Sequence, residues 1–235
     1  MISVSGKIWT EQKVNKNLVE KFKQDYGLED ILSKLIVSRN YNTSEIYGIN
    51  NNQKLTNIFK DDKDFQKATQ ILINYFNKNE NICILGDYDV DGACATSLLV
   101  LYFNHINQKY FFYIPNRTED GYGASKKLFQ KLILKNPKLV IMVDCGSNSI
   151  DAVNFLRQNN IKSIIIDHHE INRPYPKTDT LINPKKNTLK KEHAILCSTT
   201  LTYFLLDILI KKYKSNFKLS KSLIYVLFAT ICNIM

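Results

Sequence analysis

The chain has 235 residues, of which 44% are hydrophobic and 23% charged, and its formal net charge at pH 7 is +10. This length and hydrophobic content allow a buried core, which excludes an intrinsically disordered protein, and the length suits either one large α/β domain or one domain with a helical appendage. The positive charge suits a polyanionic partner such as nucleic acid. Lysine is frequent throughout the chain, so the charge alone does not locate a binding face.

The cysteines and the N-terminus indicate the compartment. The chain has five cysteines with no CxxC spacing, which argues against a disulfide framework or a zinc site and favours a reducing compartment. Residues 1–9 lack the pattern of a signal peptide, and the longest apolar stretch, residues 194–210, includes Asp207. We therefore expect a cytoplasmic protein that does not enter the membrane.

The first predicted elements are helical. Apolar positions recur at helical spacing from Asn17 to Val37 and again from Phe65 to Tyr75. The segment between them, residues 40–56, is rich in asparagine and serine and is typical of a connector. We expect residues 1–80 to form a helical N-terminal region and residues 81–235 to form the second domain.

From residue 81 onwards, short apolar runs alternate with helical patterns. Strands are predicted at Ile82–Leu85, Tyr110–Ile114, Leu139–Val143 and Ser163–Ile166, and helices at Ala93–Ile106, Ala124–Leu134 and Ile150–Gln158. Such alternation requires crossover connections and predicts an α/β fold with a mostly parallel sheet flanked by helices. Two further helices, or a helix and a strand, are predicted at Leu196–Ile210 and Ser220–Ile231.

Two local expectations accompany these elements. Most of the aromatic run from Tyr110 to Tyr113 lies inside a predicted strand, so we expect most of it to be core rather than a base-stacking surface. Ser147 precedes the helix predicted at Ile150–Gln158, and we expect its side chain to cap that helix.

Acidic and imidazole side chains follow three of the predicted strands. The sequence GDYDVDG places Asp87, Asp89 and Asp91 in one turn after the first strand, where three like charges repel unless cations bind between them. Asp144 follows the third strand, and the sequence DHHE follows the fourth at residues 167–170. Because open parallel sheets bind ligands at the carboxyl ends of their strands, the sequence predicts a metal site at this edge.

These motifs, taken in order, resemble the DHH phosphoesterase family, and within it the RecJ-like exonucleases. The matching sequences are GDYDVDG at 86–92, IPNRTEDGYG at 114–123, VDCGSNS at 143–149, DHHE at 167–170 and INPKK at 182–186. The resemblance implies 5′ to 3′ hydrolysis of single-stranded DNA in repair and recombination, with a helicase or a single-strand-binding protein as further candidate partners. RecJ-like enzymes continue into a second domain and an oligonucleotide-binding module, so we expect this chain to correspond to their front part.

The resemblance also implies a set of metal ligands. Asp89 would serve one ion, Asp91 and His168 the other, and Asp144 would bridge the two. Mixed carboxylate and imidazole ligation favours Mn²⁺, with Mg²⁺ as a substitute. Asn233 departs from the family, because the chain reads ATICNIM where the family has a run resembling ATIADVM. An amide supplies no negative charge, so we expect two ions with a weakened second site.

Further residues are implied to support the ligands or to bind the substrate. Asp87 and Asp167 would hold the ligands in place, with Asp167 orienting the first histidine of the pair. His169 and Arg117 would contact the scissile phosphate, and Lys185 the DNA backbone.

Two other functions stay open at this point. One is a DHH phosphoesterase that acts on oligoribonucleotides or cyclic dinucleotides. The other is a non-catalytic nucleic-acid-binding module, which Asn233 favours and the intact Asp89, Asp91, Asp144 and His168 oppose.

Overall fold

The computed structural model describes residues 6–8, 10, 12–41, 46, 56–116, 118–121, 123–186 and 191–233. The chain divides into two compact units, residues 1–56 and residues 57–235. Within the ranges described, no helix is long and apolar enough to cross a membrane.

Residues 12–41, the longest described stretch of the first unit, form α1 (Lys16–Tyr26) and α2 (Asp30–Ser38), whose apolar faces share one buried cluster. The side chain of Asn15 caps the first turn of α1. Gly27 ends α1 with φ +62°, a left-handed conformation that glycine adopts without steric cost. The helical pattern from Asn17 to Val37 therefore forms two helices rather than one.

The second unit is a five-stranded sheet with helices around it. Its strands are β1 (Ile82–Leu85), β2 (Tyr110–Tyr113), β3 (Leu139–Val143), β4 (Lys162–Ile166) and β5 (Thr180–Ile182). Its helices are α3 (Lys63–Asn77), α4 (Val90–His105), α5 (Lys126–Leu132), α6 (Ile150–Gln158), α7 (Ser198–Tyr213) and α8 (Leu223–Cys232). Short 3-10 helices lie at Ile133–Lys135, Lys191–Ile195 and Leu219–Ser222.

The strand order is β2-β1-β3-β4-β5, and every neighbouring pair is parallel. Alternate strand residues point to opposite faces, so each face has its own core. Helices α3, α4 and α7 pack on one face, and α5 and α6 pack on the other. The prediction of a mostly parallel sheet flanked by helices is confirmed, and β5 is a strand that the sequence analysis did not include.

Helix α3 belongs to the same compact unit as the sheet. Its side chains Phe65, Leu72 and Phe76 are buried in one cluster with the sheet and with α7. The unit therefore begins at Asn57, before the start at residue 81 that the sequence pattern suggested.

Strand β2 lies at the edge of the sheet, which changes the expectation for its aromatic run. None of its four residues is fully buried, and Phe112 is 52% exposed. Tyr110, Phe111 and Tyr113 are partly buried and pack against the two cores, so the expectation that most of this run is core holds for three residues and fails for Phe112.

Candidate metal centre

The turn after β1 is built around a close approach of two backbone segments. The carboxylate of Asp89 accepts a hydrogen bond from the N–H of Gly92 at 2.9 Å and so caps α4. A Cβ at Gly92 would lie 2.5 Å from the carbonyl oxygen of Asp87, so this position requires glycine. The turn leaves Asp87 buried and Asp89 exposed.

Asp91 lies in the first turn of α4 and faces the N-terminus of α7. Its Oδ2 accepts the N–H of Ser198 at 2.8 Å, and its Oδ1 accepts the N–H of Thr199 at 2.8 Å. These are helix-start donors that have no partner within α7, and the helix dipole adds partial positive charge there. The amide nitrogen of Asn233 donates a third hydrogen bond to Asp91 Oδ2 at 3.0 Å.

Asp144 and His168 meet Asp91 at the end of the sheet. The Nε2 atom of His168 lies 3.3 Å from Asp144 Oδ1 and 3.6 Å from Asp91 Oδ2. Asp144 adopts φ +62°, a strained conformation for aspartate, and its Oδ1 accepts the hydroxyl of Ser198 at 3.0 Å.

The residues present fit a divalent cation. Asp144 Oδ2 and His168 Nδ1 are buried and have no hydrogen-bond partner among the described residues. Buried polar atoms are nearly always paired, and carboxylate oxygen with imidazole nitrogen is a donor set that Mn²⁺ accepts. Asp144, His168 and His169 each place one potential ligand atom within 4.8 Å of the others.

The electrostatics of the cluster lead to the same conclusion. Burial raises the pKa of Asp144, and the charges of Asp91 and Asp89 raise this pKa further. Burial lowers the pKa of His168. A bound cation favours the ionised carboxylate and the neutral imidazole, so it would relieve the repulsion among the three acids.

Asp167 supports the second histidine rather than the first. Its Oδ1 lies 2.8 Å from Nδ1 of His169, and its two oxygens accept the backbone N–H groups of His168, His169 and Ser147. Burial acts to raise the pKa of Asp167, but the hydrogen bonds from His169 and Ser147 outweigh burial and lower it to about 2. The expectation that Asp167 orients the ring of His168 is wrong, because residues two apart in an extended segment share one side of the chain.

The loop after β5 connects the other loops of this edge. The buried amide of Asn183 donates to the hydroxyl of Ser147 at 2.8 Å and to the carbonyl of His169 at 3.0 Å. Ser147 therefore does not cap α6, whose N-cap residue is Ser149. Lys185 forms an ion pair with Glu170 at 2.9 Å, so its charge is partly neutralised.

Comparison with known proteins identifies the family. The sequence model of the DHH family, N-terminal domain, matches residues 81–231. The chain belongs to the DHH family. The single-stranded-DNA-specific exonuclease RecJ of Bacillus subtilis is 25% identical over 180 residues, which cover 76% of this chain and 23% of RecJ. RecJ of Escherichia coli is 36% identical over 120 residues, or 51% of this chain and 21% of RecJ.

A solved structure shows that the fold is shared. The crystal structure of an exonuclease RecJ bound to manganese matches with a TM-score of 0.69 at 23% identity, over 77% of this chain and 45% of that chain. This DHH chain spans less than a quarter of the length of the two curated relatives.

The structure of this DHH domain also brings in residues that the sequence analysis missed. Ser198 and Thr199 hold Asp91, and Asn183 joins the loops that carry Ser147 and His169. The start of a helix near Leu196 was visible in the sequence, but its contact with a turn about one hundred residues earlier was not.

Of the predicted site residues, the structure brings Asp91, Asp144, His168 and Asn233 into one cluster, with His169 beside it. Asp89 lies near enough for its charge to raise the pKa of Asp144. Arg117 lies outside the described residues.

Proposed function

We propose that this DHH domain is a metal-dependent phosphodiesterase core that hydrolyses single-stranded DNA from its 5′ end. The convergence of Asp91, Asp144 and His168 on one buried point, with an oxygen and a nitrogen left unpaired, carries the proposal. The relatives whose names record single-stranded-DNA-specific exonucleases support the choice of substrate.

The ligands divide between two ion positions. Asp144 would be shared, Asp91 and His168 would serve the position next to Asn233, and Asp89 would serve the other. Divalent ions held there, Mn²⁺ or Mg²⁺, would lower the pKa of water and neutralise charge on the phosphate. Asp87 would support these ligands by holding the turn, where its Oδ1 accepts the N–H of Tyr88.

The remaining residues act on the phosphate. The hydrogen bond with Asp167 raises the pKa of His169, which favours the protonated ring, in which both nitrogens donate. Asp167 fixes the ring so that its Nε2 is available for a phosphate oxygen. Arg117 and Lys185 would neutralise further backbone charge, with Lys185 first releasing Glu170.

The position beside Asn233 would bind its ion weakly. The atom that Asn233 turns toward Asp91 is the amide nitrogen, which is a donor and cannot ligate a cation. This contact is the specific observation that favours a second candidate function, a non-catalytic nucleic-acid-binding module. The two proposals differ in whether the chain hydrolyses its ligand.

We further propose that the protein works in the cytoplasm, with a helicase or a single-strand-binding protein supplying the strand. None of the five cysteines is in a disulfide, and four of them are buried, which suits a reducing compartment.

The test is hydrolysis of 5′-labelled single-stranded DNA by the purified chain, with and without Mn²⁺. We expect release of short 5′ products that requires Mn²⁺ and is lost in Asp144→Ala, because that carboxylate would be shared by both ions. Asn233→Asp should be faster than the wild type. Activity that survives in Asp144→Ala would refute the metal assignment. DNA binding without cleavage in all three proteins would favour the non-catalytic module.

A further inference from the structure

A second concave site lies at the N-terminal end of β4, whereas the metal centre lies at the C-terminal ends of the strands. It forms where β4 begins and is completed by the segment before β5, the end of α6 and one turn of α3. Its volume is about 500 Å³, within the range of small-ligand sites. Because β4 has five residues, this site is about 17 Å from the loop that carries His168.

Positive side chains dominate this site, which we call the basic cleft. The lining residues are Lys67, Arg157, Asn160, Ile161, Lys162, Lys177, Thr178 and Asp179. Four of them are cations, brought together from three separate parts of the chain. Asp179 is the one acid among these lining residues.

The cations of the basic cleft are mostly unpaired. Within the described part of the chain, Lys67, Arg157 and Lys177 form no ion pair or hydrogen bond. Lys162 lies 3.6 Å from Asp179, whose other oxygen accepts the N–H of Ser163 at 2.9 Å. One carboxylate, already shared, therefore faces four positive charges.

Three other lysines of the second unit are each neutralised by a neighbouring acid. Lys131, Lys186 and Lys211 each lie within 2.8 Å of a carboxylate oxygen. Unpaired like charges that line a concave surface repel one another, and the low-dielectric walls concentrate their potential. An anion in the cleft would relieve this repulsion.

We propose that the basic cleft binds phosphate groups, at a site separate from the metal centre. Arginine and lysine together supply bidentate and point-charge contacts, which is the chemistry that recognises phosphate. The phosphate belongs either to a single strand of nucleic acid or to a free nucleotide, and the two sources differ in how affinity depends on strand length.

The test is a nuclear magnetic resonance titration of the ¹⁵N-labelled chain in metal-free buffer, so that no cleavage occurs. The three probes are inorganic phosphate, thymidine 5′-monophosphate and a dodecanucleotide of thymidine. We expect the amide signals of Asn160, Ile161 and Thr178 to shift with each probe. If the dodecanucleotide binds about tenfold tighter than the mononucleotide, the ligand is a strand, and equal affinities identify a nucleotide.

Two charge-reversal variants separate the effect of the cleft on binding from the effect of the net charge of the protein. Arg157→Glu with Lys177→Glu should weaken binding at the cleft by about tenfold or more. Lys218→Glu with Lys221→Glu changes the net charge equally on exposed residues outside the cleft, and it should weaken binding by less than about twofold. The proposal is overturned if no probe shifts these signals, or if both double variants weaken binding equally.

Discussion

The variant Asn233→Asp would test how the centre balances its charges. It places a second carboxylate where the amide nitrogen now lies, 3.0 Å from Asp91 Oδ2. At an effective dielectric constant of about 20, two unit charges at this distance repel by about 5 kcal/mol. Protonation limits the cost to about 4 kcal/mol at pH 7, since raising a carboxyl pKa from about 3.9 to 7 costs about 1.4 kcal/mol per pH unit.

A divalent cation between the two carboxylates would turn this repulsion into a net attraction, so that the second carboxylate stabilises the folded protein. We therefore expect Asn233→Asp to unfold at lower temperature than the wild type without metal, and to gain more stability from Mn²⁺. Its affinity for the weaker Mn²⁺ position should rise by about tenfold to a hundredfold, the size of effect seen when groups at a metal site are changed. Calorimetric titration with Mn²⁺ and thermal unfolding with and without Mn²⁺ measure both quantities.

Asn233→Ala is the matched control, because it removes the donor to Asp91 without adding charge. It should cost about 1–3 kcal/mol, the penalty for a carboxylate that loses a hydrogen bond, and it should not tighten Mn²⁺ binding. If Asn233→Asp binds Mn²⁺ no more tightly than Asn233→Ala does, position 233 does not face an ion and the second position must be built differently.

Two further substitutions test the turn after β1 and the loop after β2. Gly92→Ala puts a Cβ 2.5 Å from the carbonyl oxygen of Asp87, so we expect a loss of about 1–3 kcal/mol in urea unfolding and weaker Mn²⁺ binding; unchanged Mn²⁺ affinity would contradict this account. Asp120→Asn removes a carboxylate whose hydrogen bonds, chiefly that from Lys131, lower its pKa from 3.8 to about 2. Because the folded pKa is below the ordinary value, the stabilisation is full above about pH 4 and is lost as the pH falls toward about 2. The urea midpoints of wild type and Asp120→Asn should therefore converge on acidification, and a gap that widens would refute the assignment.

The sequence pattern was sufficient to predict the sheet and the edge that carries the site. Each of β1, β3 and β4 is a short apolar run that ends one or two residues before an acid, and parallel pairing then brings these acids to one edge. The position of β2 could not be read in the same way. Its aromatic residues fit a buried strand as well as an edge strand, and only the strand order leaves Phe112 exposed.

Individual side-chain contacts could not be predicted, whether between near neighbours or between distant segments, and they decide how the ligands are held. Asp167 was expected to serve His168, but the extended backbone places its carboxylate beside the ring of His169. Ser147 had the spacing of a helix cap, yet its hydroxyl accepts a hydrogen bond from Asn183, which arrives from β5. In the first case the extended backbone selects a different near neighbour, and in the second the partner is supplied by the loop after another strand.

The environment of Asp91 explains why the asparagine at position 233 should affect one ion position rather than the whole centre. Two N–H groups of α7 and the amide of Asn233 already donate to its carboxylate, so this acid is compensated before any cation binds. Asp144 is less compensated: its Oδ1 accepts the hydroxyl of Ser198, but its Oδ2 is buried and has no hydrogen-bond partner among the described residues. A cation is therefore stabilised more by Asp144 and His168 than by Asp91. Asn233 stands where the family has an acid, so the negative charge is lower on the Asp91 side, where hydrogen bonds already compensate the carboxylate. For this reason we expect a loss of affinity at one ion position, while the turn after β1 and the fold around it are preserved.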